Sequence, residues 1–211
     1  MAPALLVIAK TPIPGRVKTR LTPPCTPEQA ARIAAAAIAD TLAAVQAVEG
    51  EVRRIVVLDG EPGPWIPDGF DVIAQRGDGL AQRLAAAFAD AGGPAFLVGM
   101  DTPQVTPELL TAGLDAVREG DAAFGAALDG GYWGIGLREP DARVFEDVPM
   151  SEDNTGAVQR ARLAILGLRT AMLPPLRDID TIEDARAVAR EAPGGRFAAA
   201  LAEIDPEVLV A

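Results

Sequence analysis

The sequence predicts an α/β fold, a mostly parallel sheet with helices on both faces. Two observations carry this. Short apolar runs alternate with longer amphipathic or Ala-rich runs along nearly the whole chain, the order that βα units produce. The runs at 5–9 (LLVIA) and 95–100 (AFLVGM) are continuously apolar, so both faces of those strands are covered, as in a parallel sheet. A chain of 211 residues is long enough to bury a substantial core as one domain.

The elements follow in order. After the strand at 5–9, Thr26-Pro27-Glu28-Gln29 opens a helix. Thr26 is its N-cap, Pro27 takes the first helical position, and Gln29 stands where a capping box needs it. This helix runs to about residue 48 and stops at Gly50. Residues 54–58 (RIVVL) are a second strand, and a Pro/Gly loop at 60–69 leads to a short strand at 70–74. A helix at 80–91 places Leu80, Leu84, Ala87, Phe88 and Ala91 along one face. The strand at 95–100 ends at Asp101, and Thr106-Pro107-Glu108 opens a helix closing near Gly120. Strands at 122–127 and 132–137 flank Leu128-Asp129-Gly130-Gly131. Residues 155–166 are helical, 169–173 a strand and 181–190 a final long helix. The domain spans 1–211, with its core at about 4–190 and a terminal appendage at 191–211.

Composition narrows the function. Hydrophobic residues make up 49% and charged residues 23% of the chain, the balance of a globular protein. The net charge of -11 argues against coating a nucleic-acid polymer, which demands broad basic faces. Cys25 is the one cysteine, so no intrachain disulfide forms and a reducing compartment is expected. The apolar runs are too short to span a bilayer, and MAPALLVIAK has no basic n-region ahead of its apolar segment. A cytoplasmic location is therefore expected. The chain contains no histidine, which removes Ser-His-Asp and Cys-His nucleophilic catalysis and every His-ligated metal site. Chemistry then rests on carboxylates, Lys, Arg and hydroxyls, a set that favours a hard cation such as Mg2+ or Mn2+.

The most informative stretch is KTPIPGRVKTRL, 10–21, which carries Lys10, Arg16, Lys18 and Arg20 in a chain segment (1–27) without Asp or Glu. Such a cluster on an acidic protein suits an anion, though a solvated basic loop is the alternative. Pro12, Pro14 and Gly15 keep it from becoming helical, and a loop leaving the carboxyl end of a buried strand is where α/β proteins hold phosphates. Asp101 follows its strand directly, which places it at the ligand-binding edge, or else it caps a turn. Alternation in DIDTIED, 178–184, points Asp178 and Asp180 to one side, so both can meet one cation with Asp101. Thr181 with Asp184 also reads as a helix cap. Gln75-Arg76-Gly77-Asp78-Gly79 joins a strand to a helix, and its amides with Arg76 or Arg83 suit an anion. Asp129-Gly130-Gly131 either admits a ligand close to the main chain or makes a plain hairpin. Ser151 to Thr155 (SEDNT) offers hydroxyls to a second substrate or caps a helix.

AKTPIPGRVKTRL, QRGDGLAQRL, GMDTPQVTPELL, DGGYWGIGL and LPPLRDIDTIEDA, in this order, resemble the bacterial DUF2064 proteins. These are glycosyltransferase-like and akin to the 2-phospho-L-lactate guanylyltransferases. The resemblance covers about 5–185 and implies a GT-A (Rossmann-like) nucleotide-diphospho-sugar transferase fold. It implies a nucleotide site at Ala9, Lys10, Arg16, Lys18, Arg20, Gln75, Gly79 and Arg83, with Lys18, Arg20 and Asp101 catalytic. It further implies a Mg2+ or Mn2+ site at Asp101, Asp178 and Asp180, and an acceptor-contacting loop at Asp129, Gly130 and Gly131; Ser151 and Thr155 join the expected acceptor site on their hydroxyls alone, since 150–155 departs from the family pattern. The implied partners are an NTP or nucleotide sugar and a small acceptor, with a homodimer among the oligomeric options. Asp101-Thr102-Pro103 departs from the two-acid DxD of most GT-A glycosyltransferases. The expected reaction is Mg-dependent nucleotidyl transfer from an NTP to a phosphorylated acceptor, releasing pyrophosphate. The alternatives are glycosyl transfer from a nucleotide sugar and a non-catalytic nucleotide-binding protein.

Overall fold

The computed structural model describes residues 2–204. Seven strands form one sheet: β1 (Ala4–Lys10), β2 (Arg53–Asp59), β3 (Asp71–Ala74), β4 (Ala95–Gly99), β5 (Ala122–Ala127), β6 (Tyr132–Leu137) and β7 (Thr170–Leu176). Their spatial order is β3-β2-β1-β4-β6-β5-β7. All neighbours run parallel except β6, which is antiparallel to both β4 and β5. The order reverses between β1 and β4, the switch point outside which open α/β sheets bind ligands.

The helices are α1 (Pro27–Ala47), α2 (Leu80–Ala91), α3 (Pro107–Glu119), α4 (Thr155–Ile165), α5 (Ile182–Glu191) and α6 (Arg196–Ala202). Their starts obey the expected chemistry. Thr26 and Gln29 form a reciprocal capping box on α1, Thr106 caps α3, and Thr181 with Asp184 forms a second capping box on α5. Alternation along β1 sends Leu5, Val7 and Ala9 to one face, where Ile38, Leu42 and Leu114 of α1 and α3 pack. Ala4 and Leu6 face the other way, against Leu84 and Phe88 of α2 and Leu163 of α4. Both sheet faces are thus covered, which explains the unbroken apolar runs.

Three expectations need correction. The segment after Gly195 is not an appendage up to residue 204. There α6 buries Phe197, Ala198 and Leu201 against α1 and α5, in a cluster that also holds Leu21, Ile33, Ile179 and Val188. Only 205–211 of the predicted appendage lie outside the described residues. The last strand extends past Leu173 to Leu176 despite Pro174 and Pro175. As an edge strand with one neighbour, β7 tolerates two residues that cannot donate. Finally, α1 is long and apolar enough to cross a membrane by length and composition. The sequence reading passed over it because alanine, not leucine, makes it apolar. It is spent inside the protein, burying Ile33, Ile38, Leu42 and Val45.

Candidate functional site

A cavity of about 790 Å³ opens over the carboxyl ends of β1 and β4 and the β5–β6 turn, within the size range of small-molecule sites. It is lined by Ala9, Lys10, Arg16, Lys18, Arg20, Gln75, Gly79, Arg83, Asp101, Asp129, Gly131, Ser151, Thr155, Asp178 and Asp180. The five sequence motifs therefore converge on one cleft. Of the residues expected at the site, Gly130 and Arg76 lie outside the lining.

The cation loop is built on β1. Lys10 Nζ lies 4.0 Å from Asp59 Oδ2 at the end of β2. Arg16 is exposed and, among the described residues, its guanidinium has no partner. Lys18 has left-handed backbone, φ 48, which turns its side chain inward until only 7% of it is exposed. Its ammonium sits 2.8 Å from Asp101 Oδ1 and donates to the Ile179 carbonyl. Arg20 Nη1 donates to Asp180 Oδ2 at 2.5 Å. The loop is thereby fastened to both acidic segments.

Gln75 and Arg83 line the cleft but turn their polar ends to protein. Gln75 Nε2 donates to the carbonyls of Ala9 (2.8 Å) and Val57 (3.1 Å). Arg83 donates to Asp59 Oδ2 (3.0 Å), Gln75 Oε1 (3.3 Å) and the Gly77 carbonyl (3.1 Å). The network stitches β1, β2 and α2 into a wall. Arg76 instead pairs with Asp90 on the outer side of α2. The α2 N-terminus at Gly79 has no side-chain cap, so its first amides stay open to a ligand.

The acids regroup relative to expectation. Asp129, Asp178 and Asp180 each bring one carboxylate oxygen within 4.8 Å of the others. Asp101 stands outside this trio, paired with Lys18. Asp129, expected at the acceptor, joins the metal-binding candidates instead, and no periodicity connects it to DIDT, so the sequence holds no signal for this grouping. Its orientation comes from the turn, where Oδ1 accepts from the Gly131 amide at 2.7 Å. Burial, then the neighbouring charges of Asp129 and Asp180, pushes the Asp178 carboxyl up to about 6, with Lys18 partly opposing. An all-carboxylate donor set of this spread fits a hard divalent cation such as Mg2+ or Mn2+.

Gly130 of the β5–β6 turn admits backbone rather than ligand, while Gly131 lines the cleft beside the Asp129 carboxylate. A Cβ on Gly130 (φ +95) would stand 1.8 Å from the Asp153 carbonyl oxygen, and one on Gly156 would stand 2.4 Å from that of Gly131. Gly156 N donates to the Gly130 carbonyl at 2.7 Å, so the turn and the 151–156 loop form one unit. Within it Thr155 Oγ1 accepts from Glu152 N and donates to the Pro149 carbonyl, while Ser151 holds left-handed backbone, φ 65, at the cleft wall. Sequence reading missed Leu80, Tyr132, Trp133, Met150, Glu152 and Asp153 as lining. Leu80 was placed on the core face of α2, but it is 41% exposed at the cleft. Burial raises the Tyr132 hydroxyl far above its ordinary range, so it stays neutral, with Met150 Sδ (3.9 Å) and Gln159 Oε1 (3.5 Å) as its acceptors.

No curated protein matches the sequence. Among solved structures, a protein of Desulfovibrio desulfuricans G20, described provisionally as a nucleotide-diphospho-sugar transferase, superposes with a TM-score of 0.87 at 26% identity. The match covers 99% of this chain and 97% of that one. A CMP:2-keto-3-deoxy-manno-octonic acid synthetase complexed with CTP gives 0.58 at 13% identity, over 90% and 99% of the two chains. Rv0371c of Mycobacterium tuberculosis H37Rv, complexed with manganese, gives 0.53 at 21% identity over 90% and 98%. The fold is thus that of the nucleotide-diphospho-sugar transferases and nucleotidyltransferases. A family profile described as "Uncharacterized protein conserved in bacteria (DUF2064)" matches residues 29–152, from the first helix through the acidic turn to the 151–156 loop. The chain belongs to the DUF2064 family.

Proposed function

We propose that the protein is a divalent-cation-dependent nucleotidyltransferase that joins an NTP to a small phosphorylated acceptor. The observation that carries this reading is the meeting of cations and acids in one cleft. Arg16, Lys18 and Arg20 line the same cleft as the Asp129–Asp178–Asp180 trio, and Arg20 touches Asp180. A metal–triphosphate needs cations for its phosphates and carboxylates for its ion within that span.

In this reading Arg16 and Arg20 hold the phosphates, and the open N-terminus of α2 adds amide donors. Asp129, Asp178 and Asp180 would hold Mg2+ or Mn2+, which when bound supplies neutralisation of phosphate charge. Lys18 keeps Asp101 and the 178–180 segment in place. An oxygen of the acceptor phosphate attacks the α-phosphorus, the bond to the bridging oxygen of the β-phosphate breaks, and pyrophosphate leaves with the electron pair. That nucleophile is already ionised, so the site asks for positioning and charge neutralisation rather than a base, in keeping with a chain without histidine. The one cysteine, buried at Cys25, supports a cytoplasmic setting.

One observation favours a second reading, glycosyl transfer from a nucleotide sugar. Among the lining residues, the half formed by Asp129, Ser151, Glu152 and Asp153 contains no Lys or Arg, which suits a hydroxyl acceptor with a carboxylate base better than a phosphate. Incubation with NTPs or nucleotide sugars and candidate acceptors, assayed for both leaving groups, separates the two. Acceptor-dependent pyrophosphate supports the first. Nucleoside diphosphate without pyrophosphate would replace it with the second.

A further inference from the structure

The groups that the proposed function assigns to phosphate and to metal are bonded to each other. Arg20 Nη1 donates to Asp180 Oδ2 at 2.5 Å, with 69% of the Arg20 side chain exposed. Beneath this pair, the nearly buried Lys18 ties the same loop to Asp101 and to the Ile179 carbonyl. The backbone is also closed there, since Ile179 N donates to the Asp101 carbonyl at 3.1 Å. Leu21 and Ile179 share one apolar cluster under the contact. The loop and the 178–180 segment therefore stay together, and the exposed pair is the part able to exchange partners.

We infer that the Arg20–Asp180 pair is a latch that couples the two ligands: a cation reaching Asp180 releases Arg20 for phosphate, and a phosphate reaching Arg20 releases Asp180 for the cation. The inference rests on the proposed nucleotide and metal reading of the cleft. Either ligand alone must break the ion pair and gains one partner set. The two together replace one Arg–carboxylate contact by two charge-assisted contacts. Linkage requires the effect to be reciprocal. Arg16 and Asp178 provide internal controls. Arg16 lines the same cleft without an acid partner, and no Arg or Lys forms an ion pair with Asp178 among the described residues.

The consequence runs against ordinary expectation for a binding residue, because removing one half of the latch should help the other half's ligand. An exposed pair of this kind is worth a factor of about two to five in an equilibrium constant. Calorimetric titration of the full chain with Mn2+ alone should therefore show about two- to fivefold tighter binding by Arg20→Met than by wild type, with Arg16→Met unchanged. Titration with inorganic tripolyphosphate in metal-free buffer should show a similar gain for Asp180→Asn and none for Asp178→Asn. Melting temperatures establish that the variants are folded. Equal Mn2+ affinity in wild type and Arg20→Met, or an equal gain in Arg16→Met, would overturn the latch while leaving the nucleotide and metal sites standing. A wild type that binds neither Mn2+ nor tripolyphosphate would overturn the latch together with the reading beneath it.

Discussion

Asp178 shows how a carboxylate crowded by burial and like charge lowers the stability of the fold. Burial and two neighbouring carboxylates raise its folded-state value to about 6, above the usual 3.9 or so of an unfolded aspartate. Between these values the folded state binds the proton more tightly. Its contribution therefore favours folding at the acid end and is lost as pH rises from about 4 to about 6. Asp121 and Asp184, whose carboxyls hydrogen bonds hold low, act with the opposite sign nearer pH 4, so the clean readout is a difference between variants. Asp178→Asn should raise the melting temperature of the metal-free protein at pH 7.5 and leave it little changed near pH 4. With saturating Mn2+ the order at pH 7.5 should reverse, because the variant loses a ligand oxygen. A metal-free variant no more stable than wild type at pH 7.5 would show that the trio is not under charge strain. At this scale the sequence spoke unevenly. Asp178 and Asp180 were legible because two acids flank one apolar residue in an extended segment. The trio's third member was not, since Asp129 comes from a turn about 50 residues earlier and only the pairing of β5 with β7 brings it alongside.

Among the elements, the capped helices and continuous apolar strands were legible because their signals are local: Thr26, Thr106 and Thr181 each cap a helix within three residues. The final helix was not. The stretch RFAAALA is short and weakly patterned, and what makes it helical is contact with α1 and α5. Phe197 is 1% exposed there, and Asp40 on α1 accepts from the backbone amides of Arg196 and Phe197, capping α6 from another element. Phe197→Ala should cost about 3–5 kcal/mol, read as a lowered denaturant midpoint. A loss below about 1 kcal/mol would return α6 to the status of an appendage. In the turn unit, Gly130→Ala must move the Asp153 carbonyl or the β5–β6 turn itself and should weaken Mn2+ binding through Asp129. Wild-type Mn2+ affinity in that variant would detach the turn from the metal site.

Taken whole, the molecule is acidic, with a net charge of -11, and its cleft brings Arg16, Lys18 and Arg20 together with the acids Asp101, Asp129, Asp178 and Asp180. A ligand that joins both sets binds the folded state alone and stabilises it by mass action. At a hundredfold excess over its dissociation constant this amounts to about 2.7 kcal/mol, or roughly 5–11 °C for a chain of this size. A thermal-shift panel of NTPs and nucleotide sugars with Mn2+ should find at least one such ligand. A panel with no shift would set aside both transferase readings. The cluster of Leu21, Ile33, Ile179, Val188 and Phe197 has a kinetic meaning of its own. It is separate from the two cores on the sheet faces, yet the cation loop and the acid segment are both rooted in it. Subdomains of this sort open as units below the global unfolding free energy. Amide hydrogen exchange would then find the residues near 18–21, 178–180 and 185–201 sharing one opening free energy, lower than that of β1 and β4. The geometry of the cleft would be lost on warming while the sheet is still intact.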